Sequence, residues 1–484
     1  MKNITQSHVK AMLLGVGLLL VKISAVAQTQ KGADIDGEAA YDESGYSVSM
    51  PDANTVAIGA PRNDSSGQVR VYYWSGGAWK QKGEDIDGEG TGDNFGWSVS
   101  MPDANTVAIG APQNNGSGFY TGLVRVYSWS GSAWVKKGLD IDGENLGDWS
   151  GSSLNMPDAN TVAIGAKYND GNGNVSGHVR VYGWSGTSWV QKGTDIDGEA
   201  SGDELGGSIS MPDANTIAIG AVFNDGNGSD AGHVRVYSWN GSSWVQKGLD
   251  INGSGMYAYL GASVSMPDAN TVAIGCFNSD EFIYSWNGSD WVQKGNPISG
   301  EEKGDQSGTS VSMPDANTVA IGAPWNAGNG TRSGNVRVYV WNGSAWIQKG
   351  LDIDGEAAND ESGYSVSMPD ASTIAIGAGF NAGNGLKAGH VRVYTVTNTV
   401  FVENSFGSAF RAFPNPTPGE LNIDLGAVHP AVEVIARNAL GQVVMHQSFN
   451  GIKALQLNIP GEAGLYMVEI NSNDKKALLK VMKK

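Results

Sequence analysis

Short alternations of polar and apolar residues, each followed by an apolar run, recur along most of the chain. In the first copy, residues 47–50 read Ser-Val-Ser-Met, residues 51–54 read Pro-Asp-Ala-Asn, and residues 55–58 read Thr-Val-Ala-Ile. Alternation indicates a half-buried strand, and a short apolar run indicates a buried one. Because Pro-Asp-Ala-Asn is typical of a turn, each copy predicts a two-stranded hairpin.

The hairpin pattern recurs at nearly regular spacing. Its methionine is found at Met50, Met101, Met156, Met211, Met266, Met313 and Met368. The spacings are 51, 55, 55, 55, 47 and 55 residues. A fixed period near fifty indicates one supersecondary unit per copy and a fold built by repetition.

Each full unit contains two further strand-like pieces. The third is Val-Arg-Val-Tyr, as at residues 124–127, and the fourth follows a Trp-x-Gly-x-x-Trp hairpin, as at residues 239–244. Four short antiparallel strands, repeated seven times, predict an all-β protein with a seven-bladed β-propeller. A β-helix would use much shorter repeats, and separate sheets of this size could not bury both faces.

The ends of the chain differ from the repeats. Residues 1–27 read as a secretory signal, with Lys2 and Lys10 before an apolar run and Ala-Val-Ala at residues 25–27. We predict a propeller over residues 28–403, a linker over 404–411 and a small β-sandwich domain over 412–484. Two segments align with a fourth strand and could close the ring: residues 28–32, or residues 399–403 with Phe401 in place of the second tryptophan.

The two sides of such a ring differ in sequence. The turns between strands one and two and between strands three and four are nearly uniform, whereas the loops between strands two and three vary. Because loops on a rigid scaffold usually carry recognition, the variable side is the predicted binding face. Candidate ligand-binding residues in its loops are Phe119, Tyr120, Asn224, Asp225 and Trp325.

Composition narrows the possible partners. The 484 residues include 69 glycines and carry a net charge of -18, which disfavours nucleic acid. An acidic protein of this kind suits cations, sugars or other proteins. The single cysteine, Cys276, excludes a disulfide within the chain, and its alignment with alanine in other repeats predicts a small buried residue.

The links between blades repeat the sequence Asp-Ile-Asp-Gly-Glu. Oxygen ligands around a glycine are typical of calcium sites, although the further ligands of an EF-hand are absent from the links, and a solvated acidic link is the alternative. The metal candidates are Asp34, Asp36, Glu38, Asp85, Asp87, Glu89, Asp140, Asp142, Asp195, Asp197, Asp352 and Asp354. His178, His233 and His390 share one repeat position; because they lie in different blades they cannot form one metal site, and we interpret them as incidental.

Two other repeated residues have structural interpretations. The paired tryptophans occur in nearly every blade, which favours packing over sugar binding. The third strand carries an arginine in six repeats, but the fifth has Phe282, and the links that flank the fifth repeat have lost their paired aspartates. We therefore hypothesise an ion pair between this arginine and the aspartates of a neighbouring link.

The repeat resembles a known family. Gly-x-Ser-Val-Ser followed by Val-Ala-Ile-Gly-Ala-Pro, with Gly-Asp-Asn-Phe-Gly-Trp-Ser-Val at residues 92–99, is similar to the FG-GAP repeats of the integrin α-subunit propeller. The resemblance covers all seven units and implies an adhesion-type propeller. The Asp-x-Asp-Gly-Asp calcium loop of some integrin blades is absent between strands one and two, so the resemblance implies no calcium there.

The C-terminal segment resembles a different family, the type A sorting domain of the type IX secretion system. The resemblance is carried by Pro414, Asn415, Pro416, Gly441, Gly464 and Tyr466, which stand in the order and spacing of that family. It implies recognition by the type IX machinery, export across an outer membrane, removal of this domain, and release or lipopolysaccharide anchoring of the rest.

Enzymatic signatures are absent from the sequence: we find no nucleophile–base pair, metal-ligand spacing or phosphate loop. The sequence therefore predicts a secreted or cell-surface, non-enzymatic propeller that binds an extracellular protein or glycan, without nucleic-acid partners or a transmembrane segment after signal removal. The alternatives are an extracellular enzyme acting on polysaccharide and a structural surface-layer component.

Overall fold

The computed structural model describes residues 28–116, 118–277, 280–396, the backbone of 401–404, and residues 406, 410–415, 417–438, 441–473 and 475–484. The predicted signal, residues 1–27, lies outside this part of the chain. Seven four-stranded antiparallel sheets follow one another along the propeller region, and we number them blades 1 to 7. Their first strands are Ser47–Asp52, Ser98–Asp103, Ser153–Asp158, Ser208–Asp213, Ser263–Asp268, Ser310–Asp315 and Ser365–Asp370.

The second and third strands form the buried part of each blade. Every described residue of the second strands is buried. These strands are Thr55–Ala60, Thr106–Ala111, Thr161–Ala166, Thr216–Ala221, Thr271–Gly275, Thr318–Ala323 and Thr373–Ala378. The third strands are Gln68–Ser75, Leu123–Trp129, His178–Trp184, His233–Trp239, Phe282–Trp286, Asn335–Trp341 and His390–Val396. A 3-10 turn, Asn63–Ser65, precedes the first of them.

The fourth strands show which end of the chain closes the ring. In blades 1 to 6 they are Ala78–Gln81, Trp134–Lys136, Trp189–Gln191, Trp244–Gln246, Trp291–Gln293 and Trp346–Gln348. Blade 7 takes the N-terminal strand Gln28–Gln30, with Gln28 opposite Val396 where blade 2 pairs Trp134 with Trp129. The alignment of Phe401 with this position is wrong, because Phe401–Asn404 pairs instead with the last strand of the C-terminal sheet.

The first strands form a closed circle. Each contacts the first strands of the two neighbouring blades, and that of blade 7 contacts that of blade 1. A side chain on each strand accepts a hydrogen bond from the methionine N–H of the next blade, as Ser49 does from Met101 at 2.9 Å, and the series returns to Met50 through Ser367. The prediction of a seven-bladed propeller is confirmed.

A glycine in each second strand allows neighbouring blades to approach closely. A Cβ atom at Gly165 would lie 2.2 Å from the Gly206 carbonyl oxygen of the next blade, and the six equivalent glycines have the same neighbour at 2.0–2.3 Å. Such a separation is a backbone clash. We expect Gly165→Ala to lower the free energy of unfolding by about 3 kcal/mol or more, measured by urea denaturation.

The same blade supplies the control for this substitution. A Cβ atom at Gly183 would meet nothing within 4 Å. Gly183→Ala should therefore change stability by no more than about 0.5 kcal/mol. Equal effects of the two alanines would contradict the close approach between blades.

A lysine after each fourth strand fastens the blade to the next. Lys137 Nζ donates to the Ala159 carbonyl oxygen at 2.5 Å and to Asn160 Oδ1 at 2.8 Å in the turn of blade 3. The ammonium lies 5.2 Å and 5.4 Å from the ring centroids of Trp184 and Trp189, a cation–π geometry. Lys31, Lys82, Lys192, Lys247 and Lys294 make the equivalent contacts. The tryptophan pairs thus pack between blades, as the packing interpretation predicts.

The links run back along the third strands. Ile196–Asp197 of one link pairs with the start of the third strand of blade 3, with Ile196 opposite Val179 and Asp197 opposite His178. The equivalent pieces are Ile35–Asp36, Ile86–Asp87, Ile141–Asp142, Ile251–Asn252 and Ile353–Asp354. Among the described residues of the fifth blade, an isolated bridge between Glu281 and Ile298 takes the place of this pairing.

The C-terminal unit is a six-stranded sheet with its own hydrophobic core. Its longest strand, Glu420–Asn438, carries Leu421, Ile423 and Val434, which are buried together with Val468 and Leu479. Its strands are Phe401–Asn404, Arg411–Phe413, Glu420–Asn438, Val443–Asn458, Gly464–Ser472 and Lys475–Lys483. The predicted boundaries at residues 403 and 411 remain predictions.

Candidate functional site

The variable side of the propeller is built from the loops between strands two and three together with the links. The loops are held to the links by asparagine side chains: Asn172 Nδ2 donates to the Gly198 carbonyl oxygen at 2.8 Å, and Asn329 Nδ2 donates to that of Gly355 at 2.9 Å. Each loop and link therefore form one surface unit. Side chains that project from this unit are presented on a fixed scaffold.

The predicted ligand-binding residues lie in three different blades. Phe119 is 64% exposed and stacks on Tyr120 with 3.9 Å between ring centroids. Asn224 is buried, and its Nδ2 donates to Asp203 Oδ2 at 3.0 Å, whereas Asp225 is exposed. The ring of Trp325 lies under the guanidinium of Arg332, 4.1 Å from its centroid. Because these residues are distributed around the ring, the structure does not bring them together into one site.

A second group of aromatic residues, which the sequence analysis missed, is continuous. Tyr46, Trp97 and Tyr364 each lie between a glycine and the serine that begins a first strand. The ring of Tyr46 lies 4.7 Å from that of Trp97 and 5.0 Å from that of Tyr364, and the two tyrosine hydroxyls are 3.1 Å apart. Burial raises the pKa of Tyr364, so its hydroxyl stays protonated.

Neighbouring loops extend this group in both directions. Phe380 lies 6.3 Å from Tyr364, Trp149 lies 6.0 Å from Trp97, and Tyr168 lies 5.0 Å from Trp149. Tyr120 lies 6.4 Å from Trp149 and carries Phe119 with it. We call these eight residues the aromatic arc: Phe380, Tyr364, Tyr46, Trp97, Trp149, Tyr168, Tyr120 and Phe119.

The aromatic arc breaks the symmetry of the ring. It spans blades 7, 1, 2 and 3. The position of Trp97 holds a large ring only in blades 7, 1 and 2, whereas blades 3 to 6 have small residues there. Those residues are Ser152, Gly207, Ala262 and Thr309. Since the blade accepts small residues at this position, the large rings in three adjacent blades are not required by the fold.

The fifth blade breaks the symmetry in another way. A cleft of about 460 Å³ opens beside its shortened loop. Its lining includes the carboxylates of Asp280, Glu301 and Glu302 together with Lys303 and Phe277. Glu301 Oε2 accepts from Asn326 Nδ2 and from Asn335 Nδ2, both at 3.3 Å. The cleft is therefore acidic, with one carboxylate held in place by two amides.

Glu281 lies in the same blade, where the six other blades have a buried valine. It is 1% exposed, and neither carboxylate oxygen makes a hydrogen bond within the described residues. Burial raises the pKa of Glu281 to about 7. Cys276 is also buried in this blade, and burial raises the pKa of its thiol, which confirms it as a small core residue.

The arginine of the third strand pairs with carboxylates, as hypothesised. Arg125 donates to both oxygens of Asp140 at 2.9 Å and 3.1 Å and lies 2.8 Å from Glu89. Arg235 pairs likewise with Asp250, and its hydrogen bonds lower the pKa of that carboxyl group.

The partner, however, is more often a glutamate than an aspartate. In blades 1, 3 and 7 the arginine lies 3.3–3.7 Å from the glutamate that ends the preceding link. These pairs are Arg70–Glu38, Arg180–Glu144 and Arg392–Glu356. The prediction of aspartate partners is therefore wrong for these blades. The arginine side chain crosses the interface between blades and reaches the glutamate at the end of the preceding link.

The candidate metal ligands of one link do not converge. The first aspartate accepts from the glutamine four residues earlier, as Asp195 does from Gln191 at 2.6 Å, and Asp34, Asp85 and Asp352 do the same. Asp140 instead binds Arg125. The third-position residues Asp36, Asp87, Asp142, Asp197 and Asp354 are exposed. The final glutamate, such as Glu38 or Glu89, forms an ion pair with the arginine of the next blade. Calcium held by a single link stays a prediction.

The three histidines each face two carboxylates. His178, His233 and His390 lie in separate blades, as expected, but each has a glutamate from the preceding link and an aspartate from the following link nearby. Burial, reinforced by Arg180, lowers the pKa of His178 to about 4, so the ring is neutral at neutral pH. The sequence signal was the fixed register of histidine, glutamate and aspartate across consecutive links.

The sorting-motif residues lie in the C-terminal unit. Asn415 Nδ2 donates to the Lys480 carbonyl oxygen at 2.7 Å, and Asn415 Oδ1 accepts from the Met482 N–H at 2.8 Å. Tyr466 is buried and donates to the Glu462 carbonyl oxygen at 2.8 Å. Pro414 precedes Asn415, and Gly441 and Gly464 have positive φ angles of 79° and 150°. Pro416 lies outside the described residues.

Comparison with known proteins places both parts of the chain. Residues 299–340 match the FG-GAP repeat family, and residues 411–484 match the secretion system C-terminal sorting domain family. No curated protein matches the chain. The WD40 β-propeller domain of Doa1 is similar with a TM-score of 0.49 and 13% identity, over 77% of this chain and 99% of that one. The structure of YCF48 bound to D1 peptide is similar with a TM-score of 0.44 and 13% identity, over 77% and 95%.

The chain is a β-propeller protein with a match to the FG-GAP repeat family in its sixth blade. It carries a C-terminal sorting domain of the type IX secretion system, and it is exported to the cell surface or secreted. Among the described residues no helix is long and apolar enough to cross a membrane. FG-GAP propellers are typically non-catalytic.

Proposed function

We propose that this protein is a non-enzymatic binding module that recognises an extracellular glycan through the aromatic arc. The observation that carries the proposal is the run of ring contacts at 4.7–6.4 Å across four adjacent blades, on the side where the loops vary. Aromatic rings are used as contact surfaces because they combine large apolar area with few rotatable bonds. An extended row of rings suits a chain of sugar rings better than a single small ligand.

The net charge of -18 supports a ligand that is neutral or basic rather than polyanionic. Exposed apolar residues lie beside the arc: Tyr41 and Leu386 at one end and Leu146 at the other. The sorting domain supports delivery of the module to the outside of the cell, where such ligands are found. We further infer that this domain is removed after export, leaving the propeller released or anchored at the surface.

The proposal is tested by substitutions to residues that other blades of this chain have at the same position, so the fold should tolerate them. Trp97→Ser and Tyr364→Thr place in blades 2 and 7 the residues that blades 3 and 6 have at the same position. Each should weaken glycan binding by about 10–100-fold, because loss of a central aromatic contact costs about 1.4–2.7 kcal/mol. Binding of the mature protein to a glycan array and a matrix-protein array, with and without calcium, is the measurement.

Tyr73→Ser is the matched control, because Tyr73 is exposed near the opposite side of blade 1 and blades 2 and 4 have serine there. This variant should bind as the parent does. If the protein binds only matrix proteins, and both variants lose that binding, the ligand of the aromatic arc is a protein and not a glycan. Binding that survives both substitutions would exclude the aromatic arc.

The acidic cleft of the fifth blade favours a second candidate, an enzyme that acts on extracellular polysaccharide. Two carboxylic acids flanking a bound sugar are the usual apparatus of glycoside hydrolysis, and Glu301 and Glu302 line the cleft. Release of reducing sugar that disappears in Glu302→Gln would establish this alternative. Absence of hydrolysis on substrates that the array identifies would leave binding as the function.

A further inference from the structure

Three equivalent side-chain clusters occupy blades 3, 4 and 7. Each combines the histidine that begins the third strand, the glutamate that ends the preceding link and the aspartate that begins the following link. In each cluster the potential ligand atoms lie within 4.8 Å of one another. The clusters are His178 with Glu144 and Asp195, His233 with Glu199 and Asp250, and His390 with Glu356 and Asp34.

The histidine in each cluster is buried, and its Nε2 atom lacks a hydrogen-bond partner within the described residues. All three rings are 1% exposed. In blades 3 and 7 the Nδ1 atoms of His178 and His390 face both carboxylates at 3.6–4.0 Å, which is beyond hydrogen-bonding distance. Each of these buried imidazoles therefore directs one nitrogen at two carboxylates without bonding to either, which is the arrangement of ligand atoms around a metal ion.

We propose that these clusters are binding sites for a divalent transition-metal ion of the zinc type. Imidazole and carboxylate are ligands that such ions accept, whereas calcium prefers six to eight oxygen atoms. Tetrahedral zinc with bonds of about 2.0–2.1 Å separates its ligands by roughly 3.4 Å. The Nδ1–carboxylate distances of 3.6–4.0 Å therefore need only a small contraction.

The three sites are expected to differ in metal affinity, because the arginine of each blade contacts different oxygen atoms. In blade 4, Arg235 occupies both oxygens of Asp250 at 2.8 Å and 2.9 Å, so the metal must displace it. In blades 3 and 7, Arg180 and Arg392 donate instead to the backbone carbonyl oxygens of Asp142 and Asp354, both at 2.8 Å. They pair with Oε1 of the cluster glutamates at 3.3 Å and 3.7 Å, while the Oε2 atoms of those glutamates face the histidines. The Oδ2 atoms of Asp195 and Asp34 then face the histidines. Blades 3 and 7 are the tight sites.

The charge of the tight sites also suits a cation. Glu144 and Asp195 contribute two negative charges, and Arg180 contributes one positive charge. A bound ion would join two successive links to the blade between them. Such a staple would serve an exported protein whose single cysteine leaves it without internal disulfides.

Zinc binding to the chain from residue 28 to residue 484, with the C-terminal unit retained, stripped with chelator and free of any histidine tag, tests the proposal. Calorimetry and native mass spectrometry with Zn²⁺ alone should show two tight ions and a weaker third, with Ca²⁺ at least about 100-fold weaker. His178→Gln and His390→Gln should each remove one tight ion. The loss should exceed the ~10–100-fold that removal of an outer-shell partner costs. Thermal stabilisation by Zn²⁺ should vanish in the double variant.

Two further variants keep the test decisive. Gln68 occupies the histidine position of blade 1, where Glu38 and Asp85 stand in the other two positions, so Gln68→His should add a tight ion. Gln68 also shows that glutamine is compatible with the fold there. His446→Gln removes an exposed histidine paired with Glu433 at 2.7 Å in the C-terminal unit and should leave both tight ions. Absence of tight Zn²⁺ binding, or binding unchanged in the double variant, overturns the proposal.

Discussion

A mature protein that lacks residues 28–32 should unfold with about 5 kcal/mol less stability than the intact chain, because it loses several backbone and side-chain hydrogen bonds of about 1 kcal/mol each. The strand Gln28–Gln30 completes blade 7, and the Lys31 N–H donates to the Val393 carbonyl oxygen at 2.7 Å. On the other side, the Lys31 carbonyl oxygen accepts from Trp79 Nε1 at 2.7 Å in blade 1. The deletion therefore opens the ring between blades 7 and 1.

Thermal denaturation should show the loss as a fall of roughly 10 °C, since large domains lose about 2–4 °C per kcal/mol. Gln28→Ala is the control. It removes the side chain that stands in the tryptophan position but keeps the backbone ladder, and it should cost no more than about 1 kcal/mol. A truncated protein with an unchanged melting temperature would show that another segment closes the ring.

Replacing Glu281 by valine should stabilise the protein by about 3 kcal/mol at pH 8 and by much less at pH 4.5. Glu281 is buried where Val69, Val124, Val179, Val234, Val336 and Val391 are fully buried in the other blades. Burial raises the pKa of Glu281 from 4.5 to about 7 in the folded protein. The valine removes this buried carboxyl group, whose desolvation outweighs the stabilising influence of Ser307 and Arg337, and adds apolar burial.

The direction of the pH dependence follows from the raised pKa. Between pH 4.5 and about 7 the unfolded chain releases the Glu281 proton while the folded protein retains it. Stability therefore falls as the pH rises through this window and levels off above it. Urea denaturation of the parent and of Glu281→Val at pH 4.5, 6 and 8 measures the difference. Glu302→Gln, which neutralises an exposed neighbour, should retain the parent's pH dependence; equal slopes in the parent and Glu281→Val would refute the assignment.

Much of the propeller could be predicted from the sequence because its blades repeat the same local rules. Alternation, the Pro-Asp-Ala-Asn turn and the apolar run each specify a strand or a turn without reference to distant residues. The closing strand could not be chosen in this way. Gln28 stands where the other fourth strands have a tryptophan. The N-terminal strand is therefore identified by its backbone pairing with Val396 and not by side-chain similarity. Phe401 resembles the missing tryptophan but pairs with Leu479 in the other sheet.

The candidate sites were harder to predict from the sequence, because their residues come from different repeats. Tyr46, Trp97 and Tyr364 share one register and could have been found by aligning the repeats, whereas Trp149 and Tyr168 join them only through the path of the loops. Each histidine cluster draws a glutamate from one link and an aspartate from the next link around the ring, so its carboxylates are far apart in the sequence. When each link is considered alone, its own aspartates and glutamate are assigned to one site. In the structure the aspartate that begins a link and the glutamate that ends it belong to clusters in two different blades.

The strand Gln28–Gln30 also sets the order in which the molecule can be finished. The earliest part of the propeller to be synthesised and its last repeat share one sheet, so blades can form in succession while the circle stays open until residue 396 has arrived. This pairing is among the longest in sequence separation that the fold contains, and such pairings form slowly. Until then blade 7 presents an unpaired edge to its surroundings, and interrupted synthesis or partial export would leave molecules prone to pair with each other.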